Sequence, residues 1–218
     1  MHDLRDGEGH LIVGYSHQDG VDFSQSGSWE YLLCDHHEQR LSIADTYGVD
    51  FCRRSRSLHD LRGELFEVPN PAPNLLLRFA LSIVWRHAHS KTGRAIGLSL
   101  GAHERRVRDA VFDHSDVGYQ LVLTSSHHSI KGEPVDITSL PARGRIGGLN
   151  TWRFTLAQIN FSLAITNEQW PPPLSNLLAS TRDPAIVFTG PLIETADHPA
   201  HQGILARMKR PRPPNTRR

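Results

Sequence analysis

A stripe of apolar residues at helical spacing runs through residues 35–55 of the chain. Leu41, Ala44 and Tyr47 recur at three-residue steps within it. This periodicity predicts an amphipathic helix that buries one face. The short apolar run at residues 29–33 comes directly before this segment, and it predicts a strand that turns into the helix.

Two further helices are predicted downstream. Residues 75–89 are apolar on most sides, which is typical of a buried central helix, and Asn74 is a suitable residue to cap its start. In residues 103–113, Val107 and Val111 recur at a four-residue step and predict a third helix.

The second half of the chain changes to the patterns of strands. A short strand is also predicted at residues 65–68, whereas residues 141–148 are rich in glycine and predict a turn or loop. Together these elements predict an α+β fold with an N-terminal strand–turn–helix, a central buried helix and a C-terminal antiparallel sheet. The predicted strands of that sheet are residues 119–124, 151–156, 160–165 and 185–189.

The length of 218 residues fits one domain with appendages. We expect residues 1–28 to form a lead-in with a partial hairpin, in which residues 10–15 are a strand. Residues 29–198 are expected to form the single α+β domain. Residues 199–218 are expected to form a basic, disordered tail.

The net charge of +1 hides an uneven distribution along the chain. From Arg207 onward the tail has six Lys or Arg and no acid, so the rest of the chain carries 1 − 6 = −5. Such a segment can contact the phosphates of a nucleic acid, which is the partner that the sequence suggests, although a basic end also serves simply for solubility.

The two cysteines cannot form a disulfide framework, and they fit a reducing compartment. Residues 1–10 are polar and acidic, unlike a secretory leader. The longest apolar run, residues 75–85, is interrupted by Arg78 and Ser82 and is too short to span a bilayer. We therefore expect a cytoplasmic protein without membrane contact.

Cys34 and His37 have the C-x2-H spacing of half a zinc site. Thiolate and imidazole are preferred zinc ligands, and a tight turn can bring two of them onto one ion. Cys52 is a poor third ligand, because a helix would carry it about 20 Å from the turn. His10 and His17 could return to the turn through a hairpin. The alternative is that Cys34 is a buried strand-end residue and His37 belongs to a polar first helical turn.

Three short motifs carry a family resemblance: LLC-x-x-His-Glu at residues 32–38, SIVWR at 82–86 and LGAHERRVR at 100–108. They resemble a group of uncharacterised bacterial proteins with a Cys-x2-Cys-Glu turn, a Trp-Arg helix and a Leu-Gly-x-x-Glu helix start. In that group an upstream cysteine pair and a Ser-His-Ile-Ile-Pro-like segment are features similar to those of HNH endonucleases.

The resemblance implies a degenerate or truncated HNH-like metal-knuckle protein that acts on or near nucleic acid and holds zinc through Cys34 and His37. His37 stands where the second cysteine of the group would be, and residues 1–28 contain no counterpart of the upstream pair. An HNH-type reaction would require His10 or His17 as its base.

Two other functions stay open. One is a metal-free interaction or regulatory module, in which the cysteine and the histidine of the turn are ordinary structural residues. The other is a serine hydrolase, because Gly97–Gly101 matches G-x-S-x-G around Ser99. That function would need a strand at residues 94–99, and without one the segment is a loop before a helix. Its acid and base would be Asp183 or Asp197 and His198 or His201.

The end of the central helix carries Arg86, His87 and His89. The two histidines point to different helix faces, so they are poorly placed to share a metal. Cationic groups at the C-terminal end of a helix interact favourably with the helix dipole. We also predict that Arg86 pairs with Glu38 or Asp45 and so links two helices.

Overall fold

The computed structural model describes most of the central part of the chain, which divides into two compact units. The larger unit comprises residues 30–126 and 137–190, and the smaller one comprises residues 1–29, 127–136 and 191–218. The predicted domain boundaries at residues 28 and 198 stay predictions. The described residues are 11–14, 21–24, 32–58, 65–126, 128–130, 133–135, 138–172, 174–181, 183–189 and 193–194.

The helices of the described residues all belong to the larger unit. Three of them confirm the helices that apolar periodicity predicts, and a short fourth one was not predicted. They are α1 Asp35–Leu58, α2 Pro73–His89, α3 Lys91–Ala95 and α4 Glu104–Phe112.

The strands of the described residues are mostly short. In chain order they are β1 Leu11–Gly14, β2 Val21–Ser24, β3 Leu65–Val68, β4 Gln120–Ser125, β5 His128–Ile130, β6 Glu133–Val135, β7 Ser139–Ile146, β8 Leu149–Leu156, β9 Ile159–Ala164, β10 Ala185–Thr189 and β11 Ile193–Glu194. In the smaller unit, β1 pairs with β2, and β5 pairs with β6 and β11.

The larger unit contains a six-stranded sheet with the strand order β3-β10-β4-β9-β8-β7. Together with the helices it confirms the α+β class. The sheet is antiparallel, as predicted, at every described pair but one: β10 runs parallel to β4, with Phe188 opposite Thr124. Strand β9 ends and β10 begins at the same end of the sheet, on opposite sides of β4. The long segment between them, which includes a 3-10 turn at Leu174–Leu177, passes the start of β4, so β10 runs parallel to β4.

Two local predictions are wrong. Leu32 and Leu33 are not in a strand, and Leu33 instead packs against the core just before α1. The other residues of that predicted strand lie outside the described ranges. Residues 141–146, predicted as a loop, belong to edge strand β7, which pairs with β8 through a turn at Gly147–Gly148. Both turn glycines have positive φ angles (58° and 87°), which suit a two-residue hairpin turn.

The start of α2 differs from the prediction as well. Its first residue is Pro73, which suits the first helical position because proline lacks an N–H. Ala72 is the cap, so the assignment of that role to Asn74 is wrong. The backbone N–H of Ala72 instead donates to the hydroxyl of Tyr47 on α1, at 2.6 Å.

The main hydrophobic core lies between the helices and the sheet. Leu121 and Leu123 of β4 face this core, whereas Val122 between them joins a smaller cluster with Trp170. The alternation follows from the two-residue period of a strand. Among the described residues, no helix combines the length and the apolar character needed to cross a membrane.

Candidate functional site

The start of α1 brings the two predicted zinc ligands together. The carbonyl of Cys34 accepts the backbone N–H groups of His37 and Glu38, at 2.9 and 3.0 Å, and so begins the helix. This turn aligns the side chains, and Cys34 Sγ lies 3.1 Å from His37 Nδ1. The thiol of Cys34 is exposed. The alternative that Cys34 is a buried residue at the end of a strand is therefore wrong.

The other proposed ligands do not join this pair within the described residues. Cys52 lies on the same helix but is buried, and burial raises the pKa of its thiol to about 12. A thiol with such a pKa stays protonated at neutral pH and is a core residue rather than a ligand. His10 and His17 lie outside the described ranges. The part of the chain that is described contains no group of three or more His, Cys, Asp or Glu side chains that could hold a metal.

A chain of aromatic contacts ties the Cys34–His37 pair to the rest of the larger unit. The ring of His37 meets Phe112 of α4 edge to face, with centroids 5.1 Å apart. Phe112 in turn meets Trp85 of α2, at 5.2 Å. The pair therefore sits on a packed three-helix junction. A free turn would give the two side chains no such fixed orientation.

The three motifs of the family resemblance meet at this junction. Trp85 Nε1 donates to Glu104 Oε1 at 2.9 Å, which joins the Trp-Arg helix to the Leu-Gly-x-x-Glu helix start. His89 stacks on Trp85 with centroids 4.3 Å apart, and its Nε2 lies 3.2 Å from the same carboxylate oxygen. The motif residues thus contact one another across elements that are distant in the sequence.

The predicted ion pair of Arg86 forms with Asp45, one of the two predicted acids. Arg86 Nη2 and Nη1 donate to the two carboxylate oxygens of Asp45, at 2.8 and 3.0 Å. The hydroxyl of Ser82 also lies between them, 3.3 Å from Asp45 Oδ1. A bidentate contact of this kind fixes α1 against α2.

His87 at the end of α2 is buried, and within the described residues its Nε2 has no hydrogen-bond partner. Burial lowers the pKa of this histidine, because the charged imidazolium loses hydration. The expected favourable interaction of a charged His87 with the helix dipole is therefore opposed by its burial.

Arg78 is a residue whose role the sequence analysis missed. Its guanidinium lies at the C-terminal end of α4, where Nε donates to the carbonyl of Val111 at 2.6 Å and Nη2 donates to the carbonyl of Arg40 at 2.7 Å. Arg40 donates to the next α4 carbonyl, that of Phe112, and to Asp113. The available signal was a lone arginine inside the apolar run of α2.

Ser99 lies in irregular chain between α3 and a 3-10 turn at Gly101–His103. The strand that a hydrolase would need at residues 94–99 is not formed, because Ser90 caps the short helix α3 by accepting the N–H of Gly93 at 2.9 Å, and turn and irregular chain follow it. Ser99 Oγ accepts the N–H of Gly101 at 3.1 Å, which is an ordinary turn contact. The strand–turn–helix setting of a nucleophilic serine is not formed here. Asp197, His198 and His201 lie outside the described residues.

A comparison of the chain with protein-family models, with curated proteins and with solved structures gives no match. The resemblance to HNH-like proteins therefore stays a prediction that three motifs carry.

Proposed function

We propose that Cys34 and His37 are two ligands of a zinc knuckle in a non-catalytic, HNH-like protein that binds nucleic acid. The separation of 3.1 Å between Cys34 Sγ and His37 Nδ1 carries this proposal. Zinc–sulfur and zinc–nitrogen bonds of about 2.3 and 2.0–2.1 Å at a tetrahedral angle hold the two atoms about 3.6 Å apart. Small side-chain rotations, which move the atoms by about 0.5 Å, are sufficient.

The donor set suits zinc better than a hard cation. A thiolate and an imidazole nitrogen are soft and borderline ligands, which select zinc over magnesium or calcium. The contact of His37 with Phe112 orients the ring before metal binds, which lowers the entropy lost on binding. Two more ligands would complete a structural site.

The test is the zinc content of the full-length chain purified from zinc-supplemented cells. We expect about one zinc per chain, as in a structural site, with loss of the metal in Cys34→Ser and in His37→Ala. Cys52→Ala is the matched control and should keep its zinc, because Cys52 is buried in the core. Absence of zinc from the wild type, or full zinc content in Cys34→Ser, would exclude the knuckle.

Exposed arginines on the β7–β8 hairpin support the nucleic-acid part of the proposal. Residues 137–167 contain three arginines and no acid. Arg143, Arg145 and Arg153 are all exposed, and the first of them also lies over the ring of a buried tryptophan. Arg143 and Arg145 share one face of β7 and Arg153 lies on the other, so the hairpin carries positive charge on both faces without an acid of its own, and such a surface attracts phosphates. The basic tail, which lies outside the described residues, would add to it.

Salt dependence of binding to labelled DNA and RNA tests this part. Each phosphate contact contributes about −0.9 to the slope of log K against log salt for duplex DNA. We expect Arg145→Gln to reduce the slope by about one, and truncation after Ala206 to reduce it further. Arg53→Gln is the control, because Arg53 is exposed but pairs with Asp50 on α1. Binding that salt does not weaken would contradict the proposal.

The proposal includes a location in the cytoplasm. Both described cysteines are free thiols, which a reducing compartment maintains. Fractionation of the source cells with thiol labelling tests this location.

A metal-free interaction module is the second candidate, and one observation favours it. The motif residues already bond to one another, Trp85 to Glu104 and Arg86 to Asp45, so the three-helix junction is complete without a metal. In that case His37→Ala should leave the fold and nucleic-acid binding nearly unchanged. A parallel loss of both in this variant would speak against the module.

A further inference from the structure

A cleft of about 230 Å³ lies between α2 and the chain that follows α4. Its polar lining comes from Asn74, Arg78, His114, Ser115 and Asp116. None of these residues belongs to the proposed zinc knuckle or to the β7–β8 hairpin. The cleft is therefore a separate feature of the larger unit.

Arg78 brings a buried positive charge to this cleft. The residue is only 6% exposed, yet no carboxylate among the described residues bonds to its guanidinium. Asp45 acts on it at longer range, but both oxygens of Asp45 already bond to Arg86. Three of the five N–H groups of an arginine are used by Val111, Arg40 and His114, which leaves two.

The surroundings of Arg78 do not neutralise this charge. The C-terminal end of α4 contributes a partial negative charge of about half an elementary charge. Arg40 adds a second positive charge, which forms an ion pair with the carboxylate of Asp113. Burial and the charge of Arg40 accordingly lower the pKa of Arg78. A desolvated cation without a full counter-charge is costly, so an anion in the cleft would stabilise the folded protein.

His114 provides a second donor. Its Nδ1 lies 3.4 Å from Arg78 Nη1, and because a guanidinium can only donate, Nδ1 is the acceptor. The proton of the neutral ring is then on Nε2, free of that contact. Burial and the two arginines lower the pKa of His114, which keeps the ring neutral at neutral pH. The backbone of His114 has a φ angle of 57°, which is uncommon outside glycine, and the exposed residue lines the cleft.

We propose that this cleft binds a single small oxyanion, a carboxylate or phosphate group, through Arg78 and His114. The amide of Asn74 and the hydroxyl of Ser115 complete the set of polar groups at the opening. Asp116 opposes the anion, and its Oδ1 accepts the N–H of Gly118 at 2.9 Å. The site thus selects one small anionic group and binds it weakly. This proposal goes beyond the zinc knuckle and does not depend on it.

The test is a titration of the isotope-labelled full-length chain with sodium phosphate and, in a separate experiment, with sodium acetate. The ionic strength is kept constant, and the chemical shifts of the backbone amides are measured by NMR. We expect at least one of the two ions to cause saturable shifts at residues 74–78 and 114–118. The ion that binds more tightly identifies the group. No saturable shift at these residues with either ion would overturn the proposal.

Three variants make the test specific. Arg78→Met should raise the dissociation constant at least about tenfold, and His114→Ala should raise it several-fold. Asp116→Asn keeps the oxygen that binds Gly118 and should tighten binding by roughly threefold. Arg94→Met on α3 is the control and should have no effect. If Arg78→Met does not fold, the other two variants decide, and unchanged affinity in both would overturn the proposal.

Discussion

Replacing Asp45 with asparagine removes the charge that joins α1 to α2 while it keeps the shape of the side chain. The bond to Arg86 is bidentate, at 2.8 and 3.0 Å, and the two side chains are 29% and 25% exposed. Exposed pairs contribute about 0.2–1 kcal/mol, whereas loss of one partner of a buried pair costs about 3–5 kcal/mol. This half-buried pair lies between them. We expect Asp45→Asn to lower the free energy of unfolding by about 2 kcal/mol, or roughly 4–8 °C in melting temperature.

A double-mutant cycle with Arg86→Met separates the pair from its surroundings. Urea unfolding of the wild type, both single variants and the double variant should give a coupling energy of about 1–2 kcal/mol. The exposed pair of Asp50 and Arg53 on α1 is the matched control, and Asp50→Asn should cost less than about 0.5 kcal/mol. A coupling energy of Asp45 and Arg86 no larger than that of Asp50 and Arg53 would mean that the pair contributes no more than an exposed surface pair.

Three further results are expected. Gly48→Ala should destabilise by about 1–3 kcal/mol in thermal unfolding despite the better helix propensity of alanine, because an added Cβ would overlap the ring of Phe79; an unchanged melting temperature would be contrary evidence. His87 is buried and has a lowered pKa, so the unfolded chain binds more protons and stability should fall as the pH drops below about 6.5; His87→Leu should flatten that part of the pH profile, and a profile identical to wild type would count against it. Trp85→Phe keeps an aromatic side chain, although a smaller one, but loses the bond to Glu104, and it should cost about 1 kcal/mol in urea unfolding, whereas no loss would mean that the bond is replaced by water.

The helices could be predicted because each of them buries one continuous stripe. Apolar residues at three- and four-residue steps mark α1 and α4, and an almost wholly apolar run marks α2. The ion pair of Arg86 and Asp45 followed from the same helical placement. Local patterns suffice where a residue's neighbours are set by the helix itself.

The direction of β10 and the presence of β7 could not be predicted in this way. Whether β10 runs parallel or antiparallel to β4 depends on the end of the sheet at which the chain enters β10, and this leaves no periodic signal. Strand β7 is an edge strand with Pro141 and Gly144, residues that usually indicate a turn. Its pairing with β8 depends on contacts that the local sequence pattern does not reveal.

The candidate site also contains local contacts that could be predicted and long-range contacts that could not. The C-x2-H spacing was enough to predict that Cys34 and His37 meet, because they are one helical turn apart. The role of Arg78 was not predictable, because the carbonyl of Val111 comes from an element 33 residues away. Only the packing of α4 against α2 brings donor and acceptor together.

Cobalt substitution of the full-length chain tests the zinc knuckle most directly, since a thiolate bound to cobalt gives a charge-transfer absorption that a free thiol does not. We expect this band in the wild type and in Cys52→Ala, its loss in Cys34→Ser, and an altered ligand-field spectrum in His37→Ala. A wild-type protein without the band, or a Cys34→Ser protein that retains it, would rule out Cys34 as a zinc ligand.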